Sequence, residues 1–396
     1  MRKEPYGYFP YPIKWIDGKW RINFDKGIIP LGAEIISINK IPIAIIIDNL
    51  SKYYTTDGVN ITGKRIGMRT HFPRYFRWHY GLTDNFEVEY CLENSKQKKT
   101  EKLKSVSYLN YYKSFKSRHS KPFDEMYYVD LVENQKYKYE KIDNSTGILT
   151  VHTFDMGDEN TDEHKRYCKF LDRVFSDLKV DDIKNLIVDV RLNGGGKDPN
   201  DLVTFSYLTK RKFQENKDAW ISFQKIPLLR YIDFWLPKFL RPFFVCKYNK
   251  MFKKQFPLNR KCRFYQDENS KDHIVREPNI NAFLGDVYLL TSPAVASAGS
   301  LFAAMVVGNE NTITVGEETM GGYYGHNGHT ALAYKLPNSK IETYFSVVNL
   351  EQDVPKKSNQ IYGRGIIPDH LISQTFEDFI NNEDTQLKYV FELIRK

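Results

Sequence analysis

Short apolar runs and stretches of helical period alternate along the chain. Residues 10–50 carry apolar runs broken at Asp17-Gly18, Lys26-Gly27 and Asn39-Lys40, a pattern of strands and turns, and Ile43 to Leu50 can open a helix. Phe86 to Leu92 alternates like a half-buried strand. Residues 93–126 are polar and rich in lysine and serine, including SKQKKTEKLKS, and read as a loop or linker face. From Tyr137 the pattern tightens. YKYEK and ILTVHTF flank the turn residues Asp143 to Gly147, predicting a strand, a turn and a buried strand. Tyr167, Phe170, Leu171, Val174, Phe175 and Leu178 recur at helical spacing and predict a helix over about 161–178. The strand Asn185 to Val190 runs into Asn193-Gly194-Gly195-Gly196. A second strand (VYLLT from Val287) passes through Ser292-Pro293 into the helix-like ASAGSLFAAMVVG, and the strand ITV at 313–315 follows. Strand and helix alternating in this way predict an α/β fold with parallel strands.

Length adds a domain count. The 396 residues suggest two or three domains. The pattern divides them into a small β-rich module at 1–100, a polar linker at 101–136, a first core part at 137–200, an insert at 201–284 and a second core part with a C-terminal helix at 285–396. Charge then singles out the insert. The chain carries 58 Lys plus Arg against 49 Asp plus Glu, a net +9. Residues 201–263 hold 15 basic and 4 acidic residues, a net +11, so the remainder is 43 − 45 = −2. The same stretch is aromatic, with Trp220, Phe223, Tyr231, Phe234, Trp235, Phe239, Phe243 and Phe244, and is expected to be a helical insert. Such a segment can cap a site or lie against an anionic membrane surface, and it also suits single-stranded nucleic acid.

A hydrophobic fraction of 41% and a charged fraction of 27% exclude a mainly disordered chain. No apolar run is long enough for a spanning helix. Cys91, Cys168, Cys246 and Cys262 are widely spaced, without a zinc-ligand pattern, and read as buried free thiols, one disulfide being the alternative. MRKEPYGYFPYPIKW lacks the apolar region of a signal peptide.

Two turns leave the C-terminal ends of expected core strands, the edge where open α/β sheets bind ligands. In DVRLNGGG, Asp189 to Gly196, three glycines free the backbone to aim N–H groups outward as an anion nest; a tight turn needing positive φ is the other reading. Neither nucleotide-loop pattern of glycines is present. In SPAVASAGSLFAAM, Ser297 opens a helix between Ala296 and Ala298. Small neighbours admit a carbonyl carbon, and the helix N-terminus favours a developing oxyanion. A serine there also serves as an ordinary N-cap, so nucleophile and cap both stay open.

The order of an apolar strand with D-x-R-x-N-G-G-G, a long insert, an apolar strand with ASA, and a G-E-x-T-x-G turn resembles the C-terminal processing (tail-specific) protease family, which includes the tricorn core proteases. The resemblance covers about residues 147–200 and 285–370, with a PDZ-like stretch at 19–92 that includes IPLGAEIISINK, and GRGIIPDH looks like the family's G-x-x-P-D close. It implies a core of the ClpP/crotonase type, Ser297 as nucleophile, and an oxyanion hole from the Ala298 amide and that of Gly194 or Gly195. A PDZ-like sheet edge would add a substrate strand. One branch uses a lysine base after G-E-x-T; GEETMGGYYGHNGH has Gly322 there. Where tricorn-type members place a glutamate, this chain has Gln360, Ile361 and Tyr362, and their histidine precedes the PDZ, where this chain begins. That predicts a truncated N-terminus. Coding sequence upstream of Met1 lacking a D-G-H-like segment would count against it.

Within the chain the substitute bases are His326 and His329 of GHNGHT, for which a local structural role is the alternative. A metal bound by this H-x-x-H lacks an evident third ligand, and His152 inside ILTVHTF reads as a core histidine. The function expected is a serine endopeptidase acting by acyl transfer on extended peptides or protein C-terminal tails, without cofactor or metal. The alternative is a catalytically impaired peptide-binding protein on the same fold. The expected partner is a peptide or unfolded protein, with membrane-surface contact through 201–263; nucleic-acid binding through the insert is a lesser reading. The family resemblance implies an extracytoplasmic setting, the periplasm or cell envelope.

Overall fold

The computed structural model describes residues 6–116, 136–233, 238–325 and 330–396. Its centre is a six-stranded sheet in the order His370–Leu371, Thr312–Gly316, Asp286–Thr291, Asn185–Asp189, Thr146–Val151, Tyr137–Lys141. All neighbours pair in parallel except Tyr137–Lys141, which returns antiparallel against Thr146–Val151. Leu186, Ile187, Val188, Val287, Leu289 and Leu290 are fully buried because helices cover both faces, which is why these strands read as unbroken apolar runs.

One face is covered by the helices Asp162–Val180, Asn200–Ser206 and Ala298–Val307. The first begins where Thr161 Oγ1 accepts the His164 N–H at 3.2 Å, with Asp162 and Glu163 at the positive end of the helix dipole. Tyr167, Leu171, Val174, Phe175 and Leu178 form its buried stripe. The other face is covered by the C-terminal helix Thr385–Ile394, whose Leu387, Val390 and Phe391 meet Ile148, Ile187, Tyr288, Leu290 and Val315.

The N-terminal module is an antiparallel sheet in the order Ile13–Ile16, Lys19–Ile22, Glu34–Ile38, Asn85–Cys91, Lys98–Lys104 with Ile41–Pro42 beside Glu34–Ile38, and the helices Ile43–Ser51 and Lys64–Tyr80 pack on it. The helix Lys64–Tyr80 has no apolar stripe to announce it: cations and rings surround it and Pro73 sits inside it. The described part of the linker expected at 101–136 holds regular structure instead. Lys98–Lys104 is an edge strand paired along its length with Asn85–Cys91, and only its Leu103 is buried. Lysine on an edge strand deters further pairing, which gives it the composition of a loop. The helix Tyr108–Lys116 buries Tyr111 and Phe115, and the rest of the expected linker, 117–135, lies outside the described residues.

The insert also differs from expectation. Leu202, Phe205, Tyr207, Leu208, Phe213 and Phe283 belong to the main core. The separate lobe is mixed rather than helical: its sheet runs Leu258–Arg260, Arg263–Tyr265, Asn216–Ile221, Val348–Gln352, beside the helix Arg241–Gln255. Leu332, Tyr334, Val348 and Leu350 share its apolar centre with Ile221, Ile232 and Phe252, so part of the expected second core segment folds with the lobe. All four cysteines are free, but only Cys91 is buried; Cys246 and Cys262 are exposed. No helix among the described residues is long and apolar enough to cross a membrane.

Candidate active site

Asn185–Asp189 and Asp286–Thr291 are hydrogen-bonded neighbours in parallel, so the turns leaving their ends lie side by side. The first turn is tied down by charge. Arg191, only 5% exposed, sets Nε and Nη2 on Asp189 at 2.9 and 2.7 Å, Nη1 and Nη2 on Asp384 at 2.7 Å each, and Nη1 on Gln386 at 3.2 Å. Burial alone would push the Asp189 carboxyl up, yet the charge and hydrogen bonds of Arg191 win and hold it below its ordinary range. This clamp fixes the strand end to the N-cap of the C-terminal helix.

Asn193, fully buried, then joins the two turns. Its Nδ2 donates to the Val151 carbonyl at 3.1 Å, its Oδ1 accepts the Gly195 N–H at 2.9 Å, and its carbonyl accepts the Ala296 N–H at 3.2 Å. The Gly194 N–H donates to the Leu192 carbonyl at 3.0 Å. Glycine is required at 195: its φ is +110°, and a Cβ would stand 2.7 Å from Ser297 Cβ and 3.1 Å from the Ala298 nitrogen.

Ser297 precedes the helix Ala298–Val307 but does not cap it. Its side chain makes no cap hydrogen bond, the residue is exposed, and its backbone holds φ +51°, ψ −133°. A serine in that region costs on the order of 1–3 kcal/mol and persists only when its surroundings over-determine it. Here they do: the Ser297 carbonyl accepts from Ser300 Oγ at 2.8 Å and Leu301 N at 3.0 Å, and Gly195 packs against the Ser297 Cβ. The ten residues of the helix itself are all buried. The hydroxyl is thus presented to solvent where the first N–H groups of a helix, Ala298 among them, lack intrahelical acceptors.

The turn 317–325 closes the third side. The Met320 and Gly321 N–H groups donate to the Val295 carbonyl at 3.0 and 3.3 Å, and a Cβ on Gly321 would strike Ser300 Oγ. Gly322 pairs with Gly365. Glu318 accepts from Arg364 Nε at 2.8 Å, Arg364 Nη2 at 2.6 Å, the Gly365 N–H at 3.0 Å and Thr62 Oγ1 at 2.8 Å. Burial raises its carboxyl, and these donors bring it below its ordinary value. Asn60 Nδ2 donates to the Thr319 carbonyl and the Val59 N–H to the Gly363 carbonyl, so the N-terminal module docks beside the same turns.

Gly194, Gly195, Ser297 and Ala298 therefore meet at one sheet edge, while His326 and His329 lie outside the described residues. His152 is buried, with its N–H on the Lys136 carbonyl, as a core histidine would be. Gln360 is also buried, its amide bridging the N–H and carbonyl of Ile367. Sequence reasoning passed over Arg191, Asn193 and Glu318 as working residues. The D-x-R spacing was the available signal, since an arginine two residues past a strand-end aspartate can fold back on it.

The model for peptidase family S41 matches residues 145–372. Among solved structures, mature CPAF complexed with lactacystin is 13% identical over 98% of this chain and 82% of that one, with a TM-score of 0.60. Mature CPAF alone is 14% identical, covers 98% and 81%, and has a TM-score of 0.57. At this identity the likeness is one of fold. No curated protein sequence matches the chain.

Proposed function

The chain belongs to peptidase family S41, and from that premise we propose that it is a serine endopeptidase cleaving extended peptides or protein C-terminal tails by acyl transfer. The observation that carries this reading is the strained, exposed and non-capping Ser297 at a helix start. Ser297 attacks the peptide carbonyl, and the Ala298 N–H receives the oxyanion. The Gly194 or Gly195 amide joins it once substrate competes with its bond inside the turn, to Leu192 or Asn193. A donor of this kind contributes roughly 3–4 kcal/mol in the best measured cases. His326 is the base this chain offers, taking the serine proton and returning it to the leaving amine. Acyl transfer needs no metal or organic cofactor.

The N-terminal module acts, in this reading, as a PDZ-like element that presents the tail by strand addition. Its docking through Asn60 and Thr62 beside the 317–320 turn supports that role. An extracytoplasmic setting, periplasm or cell envelope, belongs to the same proposal and follows from the family resemblance.

A fluorophosphonate probe tests the reading: labelling of the protein, abolished in Ser297→Ala and slowed in His326→Ala, is expected. A second reading, peptide binding without cleavage, is favoured by Gly322 standing where a lysine base would be and by the internal engagement of both glycine amides. Absence of labelling with retained binding of a tail peptide would select it and sink the first.

A further inference from the structure

The basic lobe has an outer face that the peptidase reading does not use. Residues 222–263 contain eleven lysines and arginines against a single acidic residue, Asp233. The helix Arg241–Gln255 turns Phe252 fully inward and half-buries Phe244, Tyr248 and Met251 beside it. Its opposite stripe, Phe243, Cys246, Lys247, Lys250 and Lys254, is exposed throughout. At the N-terminal end of that stripe large apolar side chains stand in solvent: Phe243 is 74% exposed and Phe239 75%.

A loop opposite adds Leu228 and Leu229, 64% and 49% exposed. It is rigidly held. The Ile226 N–H donates to Asn249 Oδ1 at 2.9 Å, Tyr334 Oη donates to the Pro227 carbonyl at 2.9 Å, and Leu228 itself sits at φ +52°. A bulky residue in that region is an outlier, and here it turns two leucines outward. Between loop and helix lies a groove of about 560 Å³ lined by the apolar Leu229, Ile232 and Val245 and the cations Lys225, Arg241 and Lys253.

Apolar tips ringed by cations match the two layers of an anionic bilayer surface, acyl chains beneath phosphate headgroups. Among the described residues of the lobe several aromatic rings are already engaged, and the exposed Phe239 and Phe243 come with the equally outward Leu228 and Leu229, which offer no face for a base to stack on. Trp220 lies under the Arg263 guanidinium at 3.8 Å, and Phe223, Phe252 and Phe264 pack in its centre. We propose that this face docks on an anionic phospholipid membrane, with Leu228, Leu229, Phe239 and Phe243 entering the interface and Lys247, Lys250 and Lys253 bound to headgroups.

Co-sedimentation of the full chain with phosphatidylcholine vesicles, with and without phosphatidylserine, tests this at low and high salt. Binding is expected only with phosphatidylserine. Each lysine removed lowers partitioning about fivefold, so Lys250→Ala with Lys253→Ala lowers it roughly 25-fold at low salt. High salt shrinks that difference, whereas Phe243→Ser weakens binding at both. These side chains are exposed, so an unchanged Tm verifies that the variants fold. Three results would overturn the proposal: equal binding to both vesicles, no binding at low salt, or capture of a single-stranded oligonucleotide with no vesicle partitioning.

Discussion

Arginine does opposite work in the two halves of this molecule. In the parallel core Arg191 is buried and engaged on both sides, joining Asp189 to Asp384, which lies 193 positions beyond the arginine. In the lobe Arg263 lies over the ring of the half-buried Trp220, and Lys250, Lys253 and Lys254 of the helix Arg241–Gln255 reach solvent. The core's charges position backbone; the lobe's charges face outward. A net charge summed over the chain hides that division.

The comparison breaks most readily at the clamp. Arg191→Leu leaves two mostly buried carboxylates without their partner and is expected to cost about 3 kcal/mol, read as a fall in Tm or denaturant midpoint. A much smaller loss would place Arg191 with the lobe's arginines. The next effect is set by two buried acids, Asp201 and Glu215. Burial and the nearby Asp198 push Asp201 up to about 8, and burial with Asp198, Asp201 and Asp272 pushes Glu215 up to about 9. The folded state then keeps protons that the unfolded chain releases near its ordinary carboxylate range. Stability from this source is full at low pH and is lost as pH rises through about 8 to 9. Asp201→Asn is expected to flatten that slope and raise stability at alkaline pH by on the order of 1 kcal/mol, measured as Tm against pH. The smallest effect should be in the lobe, where Lys250→Ala and Lys253→Ala stay within about 0.5 kcal/mol of the parent. A larger loss would show that the outer cations also hold the fold.

The sequence carried the core well because its strands are buried on both faces. VYLLT and NLIVDV leave little else to be, and the helix over 162–180 shows its stripe plainly. Elements whose stability comes from context were hidden. The edge strand Lys98–Lys104 has the composition of a solvated loop, and the helix Lys64–Tyr80 is held by rings packed on all sides rather than by period. Within the site, residue types and spacing named Ser297 but could not tell that it leaves its helix uncapped, since a φ of +51° is not written in composition. Arg191 passed unnoticed because its second partner is distant in sequence. The lobe's boundaries were misjudged because Val348–Gln352 completes its sheet from far along the chain.

The reach of the Arg191 clamp also dictates an order of events. Contacts between remote segments cost more chain entropy to close than local ones and form late. The glycine turn is anchored by a residue 193 positions further on, and the turn beside the serine by one from the N-terminal module, 259 positions away. A chain emerging from the ribosome can build the hairpin 137–151 and the helix 162–180 early, but it lacks Asp384 until long after the glycine turn has been made. The turns around Ser297 are therefore locked only after segments far apart in the chain have met.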